Sequence, residues 1–318
     1  MLFLLISSTP YAQYTDIINS NRPGKSISAF SVGKTVLQAE GGLYGIHEQH
    51  NLARYEANGF GTEFNFRYGA FFDQFEFDLD TQYQYDWYQA PLVNDTRGGM
   101  KQFVVGAKYL IYDPFLNRKD PKPNLLSWKA NHSNNVKWEQ FIPAVAVYAG
   151  VNLNFGTNPY TFTSDPSISP KLMLVTQNQF GTRWVLVTNF IADKITTEFP
   201  SLGVIATLTR GFNMRWSGFM EVQGYKSDFY ADTVLRTGAA YLIKENIQLD
   251  ASVSTNFKET PSLVYGGVGM SWRFDANYES EYIRVKSVKS AKKDKDKKAK
   301  RKQGNKSKTE EELENFKP

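Results

Sequence analysis

The residue types that could carry catalysis or bind a metal are scarce in this sequence and lack a diagnostic spacing. His47-Glu48-Gln49-His50 differs from the His-Glu-x-x-His pattern of zinc proteases. The third histidine, His132, has no partner at a spacing that indicates a catalytic serine pair. The absence of cysteine excludes disulfides, Cys-ligated zinc and thiol catalysis. We therefore predict that the protein is not an enzyme and holds no metal or cofactor.

A run of carboxylates at alternate positions is the clearest chemical pattern in the chain. Glu76, Asp78, Asp80 and Asp86 alternate with aromatic and aliphatic residues over 75–87, and we call these four the acidic ladder. A period of two places side chains on one face of a β-strand, whereas a helix would mix the two faces. The acidic ladder predicts either ion pairs with basic residues of neighbouring strands or a role in the permeation of cations and hydroxylated solutes.

The same alternation recurs along the chain and predicts about twelve strands of roughly 10–14 residues. Soluble strands are usually shorter, whereas a tilted strand that crosses a bilayer has this length. An even strand number and aromatic residues at strand ends, such as Trp87 and Trp272, are typical of outer-membrane barrels. We predict an all-β fold, a transmembrane antiparallel up-and-down β-barrel over 34–274. A soluble β-sandwich would alternate as well, but the strand lengths favour the barrel.

The predicted connections differ in length according to their parity. Those after even-numbered strands are short, such as 70–74 and the turn at Gly181, except for the long connection 113–140. Those after odd-numbered strands, such as 45–59 and 88–100, are longer and polar. Outer-membrane barrels have short periplasmic turns and long external loops. The pattern therefore predicts a periplasmic N-terminus and makes 113–140 a periplasmic insertion.

The two ends of the chain differ in composition from the barrel. Residues 1–12 resemble a secretory signal, with an apolar run and cleavage expected after Ala12. Residues 13–33 are rich in Asn, Ser, Gly and Pro, and they are predicted to be either a periplasmic leader or a lumen plug. As a plug, they would bring Arg22 to the acidic ladder. Residues 275–318 have 14 basic and 9 acidic residues and so account for the whole net charge of +5, which predicts a disordered or partly helical periplasmic tail.

Two segments resemble a known family. Asn21-Arg22-Pro23 begins a Ser-rich stretch that is followed by Gln-Ala-Glu at 38–40, and the chain closes similarly over 249–274. This arrangement resembles the outer-membrane β-barrel "transporter" family named for the meta-pathway of phenol degradation, over about 21–274. The resemblance implies an exported barrel that moves small molecules across the outer membrane, and it does not imply catalysis.

Alternation within the predicted strands places a mixed set of charges in the lumen, where they are candidates for a role in permeation. These are Glu40, Glu63, Arg67, Glu76, Asp78, Asp80, Asp86, Lys108, Arg215, Glu221, Arg236, Asp250 and Arg273. A twelve-stranded barrel would enclose a narrow lumen, in which a few facing charges can select solutes. If the acidic ladder is structural instead, its expected partners are Arg67, Lys108 and Arg273.

Two functions are consistent with these predictions. The first is a transporter or channel for small solutes in the outer membrane of a Gram-negative bacterium, with outer-membrane lipid around the barrel. The alternative is a non-enzymatic accessory subunit of an envelope machine, anchored by the barrel and docked to a periplasmic protein or to peptidoglycan. Nucleic acid is not an expected partner. The docking candidates are Trp128, Lys292, Lys293, Lys297, Lys298, Lys300, Arg301 and Lys302.

Overall fold

A closed antiparallel β-barrel makes up the part of the chain that the computed structural model describes, namely residues 18–114, 138–155, 158–160, 166–181, 183–228 and 230–275. Each strand pairs with its neighbours in sequence, and β12 pairs with β1. The predicted twelve-stranded, all-β, up-and-down barrel is therefore confirmed. The strands are β1 Val36–His50, β2 Tyr55–Gly69, β3 Phe75–Ala90, β4 Val93–Tyr112, β5 Ala144–Leu153, β6 Ile168–Phe180, β7 Trp184–Asp193, β8 Ser201–Gly211, β9 Trp216–Lys226, β10 Ala231–Lys244, β11 Ile247–Asn256 and β12 Ser262–Asp275.

Helical structure is almost absent from the described residues. One short 3-10 helix, Trp138–Phe141, precedes β5. Within the described ranges, no helix has the length and apolar character needed to cross a bilayer.

The two faces of the barrel wall have opposite chemistry, as the alternation predicts. On β3, Glu76 and Asp78 are buried inside, whereas Phe77 between them is 44% exposed on the outside. Leu43 of β1 and Val268 of β12 are each 60% exposed on the same outer face. Apolar side chains outside and polar side chains inside are the arrangement of a barrel that faces lipid. Because β12 pairs with β1, the strands form a closed ring rather than an open sheet with two free edge strands.

The first four strands are longer than predicted, and they correct two predicted loops. β1 and β2 have 15 residues each, β3 has 16 and β4 has 20. The connection after β1 is 51–54 rather than 45–59, and the connection after β3 is 91–92 rather than 88–100. Both faces of these strand ends are polar, so the alternation that marks a strand fades although the hydrogen-bonded ladder continues.

The two ends of the barrel differ in the length of their connections and in how far the strands extend, and we name them accordingly. The connections 70–74, 212–215 and 245–246 lie at one end, which we call the short-turn end. The opposite end, where β1–β4 extend furthest, we call the long-strand end. With twelve strands, β1 starts and β12 finishes at the short-turn end.

Several predicted segments lie outside the described residues. These are the signal 1–12, most of the insertion 113–140 and the tail beyond 275. The docking candidates outside the described residues are Trp128, Lys292, Lys293, Lys297, Lys298, Lys300, Arg301 and Lys302. The predicted barrel range 34–274 becomes 36–275, because Asp275 still pairs with Val36.

Residues 18–35, which we call the inner segment, form a loop that enters the barrel from the short-turn end. At its start, the Ile18 N–H donates to the Glu245 carbonyl, 2.9 Å away in the turn after β10. At its finish, the Thr35 N–H donates to the Gly69 carbonyl at 2.9 Å, next to the start of β1. Between these points Ile27 and Phe30 pack against the apolar inner faces of β4–β7.

Candidate functional site

Arg22 is the central charge of the inner segment. Its Nη1 is 3.0 Å from Glu63 Oε2 on β2, and its Nη2 is 3.1 Å from Asp250 Oδ1 on β11. The Nε–H also donates to Asp250 Oδ2 at 3.3 Å, and the backbone N–H donates to Glu40 Oε2 at 3.1 Å. A guanidinium that binds one carboxylate through two nitrogens is fixed in orientation as well as position. The prediction that Arg22 would meet the acidic ladder on β3 is therefore wrong.

Two glycines explain where the Arg22 side chain lies. Gly42 of β1 and Gly269 of β12 are paired across the strands, and the guanidinium rests against both. A Cβ atom added to either glycine would overlap the guanidinium. The missing side chains open a slot on the β1–β12 wall that leads from the inner segment to Glu63 and Asp250, away from β3.

Glu221 of β9 holds the backbone of the next part of the inner segment. Its carboxylate accepts hydrogen bonds from the N–H groups of Lys25, at 2.9 and 3.1 Å, and Ser26, at 3.3 Å. Thr207 and Gln223 donate to the same carboxylate, each at 2.6 Å. Glu221 is fully buried, so these donors replace the water that a carboxylate would otherwise bind.

Lumen amides bind the inner segment in the same way that a neighbouring strand would. Asn189 of β7 accepts a hydrogen bond from the Ile27 N–H at 2.6 Å and donates one to the Ile27 carbonyl at 2.9 Å. Gln177 of β6 accepts a hydrogen bond from the Ala29 N–H at 3.1 Å. Within the described ranges the inner segment pairs with no strand, and these side chains satisfy backbone groups that would otherwise be buried and unpaired.

A buried cluster of three charges closes the path of the inner segment. Arg67 Nη2 is 3.0 Å from Glu76 Oε2, and Lys108 Nζ is 2.7 Å from Glu76 Oε1, with all three side chains at most 1% exposed. The Glu76 carboxylate also accepts the Val32 N–H at 2.9 Å, and Lys108 Nζ donates to the Phe30 carbonyl at 3.0 Å. The cluster therefore binds wall and inner segment together.

The other members of the acidic ladder also have protein partners. Asp78 accepts a hydrogen bond from Asn65 at 2.8 Å, and Asp80 accepts one from Gln102. Asp86 pairs with Arg97 Nε at 2.8 Å and accepts the Tyr160 hydroxyl at 2.8 Å. Burial and the hydrogen bond to Asp86 raise the pKa of Tyr160, so this loop hydroxyl remains a donor at neutral pH.

The remaining predicted lumen residues divide into two groups. Arg236 of β10 donates from Nη1 to the Pro23 carbonyl at 3.3 Å, and Arg273 of β12 donates to the Val32 carbonyl at 3.5 Å. Arg215, by contrast, is exposed in the turn 212–215, and the prediction that it faces the lumen is wrong. β9 begins only at Trp216, so the alternation used to assign Arg215 does not reach it.

Sequence reasoning missed several residues that contact the inner segment or the acidic ladder. Arg97 was placed in a loop, although it lies on β4 opposite Asp86. Lys25, whose Nζ is 2.7 Å from Glu63 Oε1, was treated only as part of a leader or plug. Gln177 and Asn189 carry no signal that separates them from other polar residues on an inner face. Arg97 was missed because the alternation fades where β3 and β4 continue past the predicted strand ends.

Three cavities of the lumen border the inner segment, and Arg22 lines all three; the smallest, of about 270 Å³, lies beside Lys25 and Asp80. The cavity toward the long-strand end, which we call the vestibule, has a volume of about 480 Å³. The one toward the short-turn end has a volume of about 350 Å³. Arg22 therefore stands in the partition between the vestibule and the cavity at the short-turn end. The vestibule wall includes Tyr44, Lys101, Tyr225, Tyr230, Asp232, Arg236 and Tyr265.

Solved structures similar to this chain include an outer membrane channel, a porin and a hydrocarbon channel. An outer membrane channel from Pseudomonas putida F1 is 11% identical with a TM-score of 0.50, covering 77% of this chain and 98% of its own. The KdgM porin is 11% identical with a TM-score of 0.41, covering 73% and 99% respectively. The CymD monoaromatic hydrocarbon channel is 9% identical with a TM-score of 0.43, covering 77% and 90%. At 11% identity, the likeness to the Pseudomonas putida channel shows the fold alone.

Sequence comparison identifies the family directly. No curated protein sequence matches this chain significantly. A family model described as "Putative MetA-pathway of phenol degradation" matches residues 20–274, which include the inner segment from Ser20 onward and all of the barrel except Asp275. The resemblance noted in the sequence is thus confirmed, and the chain belongs to this family of the MetA pathway of phenol degradation.

Proposed function

We propose that the protein is a non-enzymatic outer-membrane channel for small solutes, closed by the inner segment and opened when that segment moves. The apolar outer face supports a place in the membrane, with side chains such as Leu43 and Val268 exposed to lipid. The observation that carries the proposal is the set of lumen side chains bonded to the inner segment. Glu63, Glu221 and Asp250 come from three separate strands, yet all of them bind it.

The chemistry of these contacts suits a closure that can be reversed. They are mainly hydrogen bonds and ion pairs, each of which contributes only about 0.5–3 kcal/mol net, because water competes for the same groups. Water or a polar solute can replace such partners when the inner segment leaves. The apolar contacts of Ile27 and Phe30 favour the closed state but cover only one side of the lumen. The inner segment is thus held by many weak contacts.

A disulfide lock tests this proposal. Ser20 Oγ and Ser271 Oγ are 2.7 Å apart, the first in the inner segment and the second on β12. Because the chain has no cysteine, the Ser20→Cys/Ser271→Cys variant would carry only the designed pair. We expect its conductance in planar bilayers to be abolished on oxidation and restored to the wild-type level on reduction. The two single-cysteine variants control for oxidation itself, and mass spectrometry verifies the bond.

A deletion provides the complementary measurement. Removing residues 18–30 should give a barrel with a larger and steadier conductance than the wild type, because the partition between the lumen cavities is gone. If the oxidised double variant conducts like the reduced one, or if the deletion leaves conductance unchanged, the inner segment does not control passage. Both results together would show that the inner segment is not a gate.

A further inference from the structure

We propose that the vestibule binds a small aromatic carboxylate, with Lys101 and Arg236 contacting the carboxylate and tyrosine rings contacting the aromatic body. The inference deepens the proposed function, on which it rests, by naming a class of solute. It depends on three features of the vestibule: its charge balance, the N–H donors of Lys101 and Arg236 that lack an acceptor among the described residues, and its aromatic walls.

The charge balance of the vestibule favours an anion. Arg22 and Lys25 lie within ion-pair distance of Glu63 and Asp250, two cations against two carboxylates. Lys101 and Arg236 have no carboxylate oxygen within 4.0 Å anywhere in the described ranges. The cavity keeps one further carboxylate, Asp232, which accepts hydrogen bonds from Tyr230 at 2.5 Å and Asn256 at 2.8 Å. The four cations that line the vestibule thus stand against three carboxylates, namely Glu63 and Asp232 of the lining and Asp250 beside it.

Lys101 has donor capacity to spare. Its Nζ donates to Gln84 Oε1 at 3.2 Å and lies 5.4 Å from the centroid of the Tyr265 ring. An ammonium group carries three N–H donors, so two remain for a ligand. Gln84 itself is buried and fixed, since it donates to Asp86 at 3.0 Å and accepts the Tyr44 hydroxyl at 3.1 Å. Lys101 is thus held at the vestibule wall by a rigid neighbour.

Arg236 has an open donor as well. Its Nη1 donates to the Pro23 carbonyl at 3.3 Å, whereas its Nε is buried and has no hydrogen-bond partner among the residues that the structure describes. Buried donors without a partner are rare in folded proteins, and a carboxylate is the preferred partner of a guanidinium. Because Arg236 also contacts Pro23, a ligand that draws it away would remove one donor from the inner segment.

Tyrosine rings form the remaining walls of the vestibule. The rings of Tyr44 and Tyr265 meet edge to face, with centroids 6.1 Å apart, and Tyr225 and Tyr230 line the same cavity. Aromatic side chains bind flat rings through offset or edge contacts, whereas a simple inorganic anion gains nothing from them. A volume of about 480 Å³ is in the range of pockets that bind small organic molecules. The combination of rings and cations therefore selects an aromatic anion.

Calorimetric titration of the full-length protein in detergent with sodium benzoate tests the inference. We expect benzoate to bind, and Lys101→Gln and Arg236→Gln each to weaken its binding by about tenfold or more, because each removes a charged donor. Lys101→Arg should retain most of the affinity. Lys226→Gln removes an exposed cation of β9 outside the vestibule and should leave the affinity unchanged.

Three further probes separate the parts of the site. Benzyl alcohol lacks the charge, acetate lacks the ring, and cyclohexanecarboxylate lacks the aromatic face, so all three should bind more weakly than benzoate. Absence of benzoate binding, or equal binding by the wild type and both glutamine variants, overturns the inference. Binding is measured without transport, so this experiment can fail while the disulfide lock succeeds, and the reverse.

Discussion

Gly42 and Gly269 face each other across the β1–β12 seam, and the Arg22 guanidinium covers both. Glycine weakens a strand because it adds backbone entropy in the unfolded state and has no side chain to pack. Two glycines in register therefore cost stability at the point where the barrel closes. The compensation is a close approach that no other residue allows, which lets Arg22 reach Glu63 and Asp250 together.

Gly42→Ala should loosen the inner segment. The added methyl group overlaps the Arg22 guanidinium and displaces it from its two carboxylates. A loss of about 1.5–3 kcal/mol of charged hydrogen bonding corresponds to a rise in open probability of about tenfold or more, measured by single-channel recording. Gly266→Ala is the matched control on the same seam, because an added Cβ there meets nothing within 4 Å. Equal effects of the two substitutions would contradict the assignment.

Glu221→Gln should expose the middle of the inner segment. The neutral amide offers one acceptor oxygen to donors that now share a charged carboxylate. In an Ile27→Cys background, we expect the rate of maleimide labelling to rise by about tenfold, as expected for the loss of a charged hydrogen bond. Glu259→Gln, at an exposed position, should not change the rate. Slow labelling in both variants would show that Glu221 does not hold the segment closed.

Glu76→Gln should destabilise the barrel itself. The substitution leaves Arg67 and Lys108 buried without their shared anion, which typically costs about 3–5 kcal/mol. Urea unfolding, followed by the heat-dependent mobility of the folded barrel on gels, would measure the loss. Glu56→Gln, whose side chain is 47% exposed, should change stability by less than about 0.5 kcal/mol. A double variant with Lys108→Met should recover part of the loss if the penalty comes from unpaired charge.

Cysteine labelling in cells should establish the orientation of the barrel. Leu92, 97% exposed in the connection after β3, marks the long-strand end, and Asn246 marks the short-turn end. A membrane-impermeant maleimide should label Leu92→Cys in intact cells and Asn246→Cys only after the outer membrane is permeabilised. The reverse pattern would invert the proposed topology. The cysteine-free wild type sets the background.

The barrel was predictable from sequence because its signal is local. A strand such as β3 alternates over most of its 16 residues, and each residue meets the same lipid or lumen environment as the residue two positions away. The prediction failed where that environment changes, at the polar ends of β1–β4 and in the turn that holds Arg215. At these positions the side-chain alternation does not coincide with where backbone pairing continues or stops.

The contacts of the inner segment were not predictable in the same way. The path from Arg22 to Asp250 joins residues 228 positions apart and depends on empty space above two glycines. Alternation places Asn189 and Gln177 on an inner face, but it cannot show that backbone N–H groups from another part of the chain will meet them. Such pairings follow from three-dimensional position and leave no periodic pattern.

The inner segment continues directly into β1 at Thr35, so the segment that binds the lumen is covalently joined to the barrel wall. A tether this short fixes the local concentration of the bound group at about the millimolar level, whatever the amount of protein in the membrane. In the proposed channel, a solute that binds the same lumen charges competes with the inner segment. Diluting the protein does not lower the local concentration of the inner segment, so dilution does not favour the solute. The threshold for solute entry into the proposed channel therefore depends on this covalent tether, and each molecule of the protein carries its own.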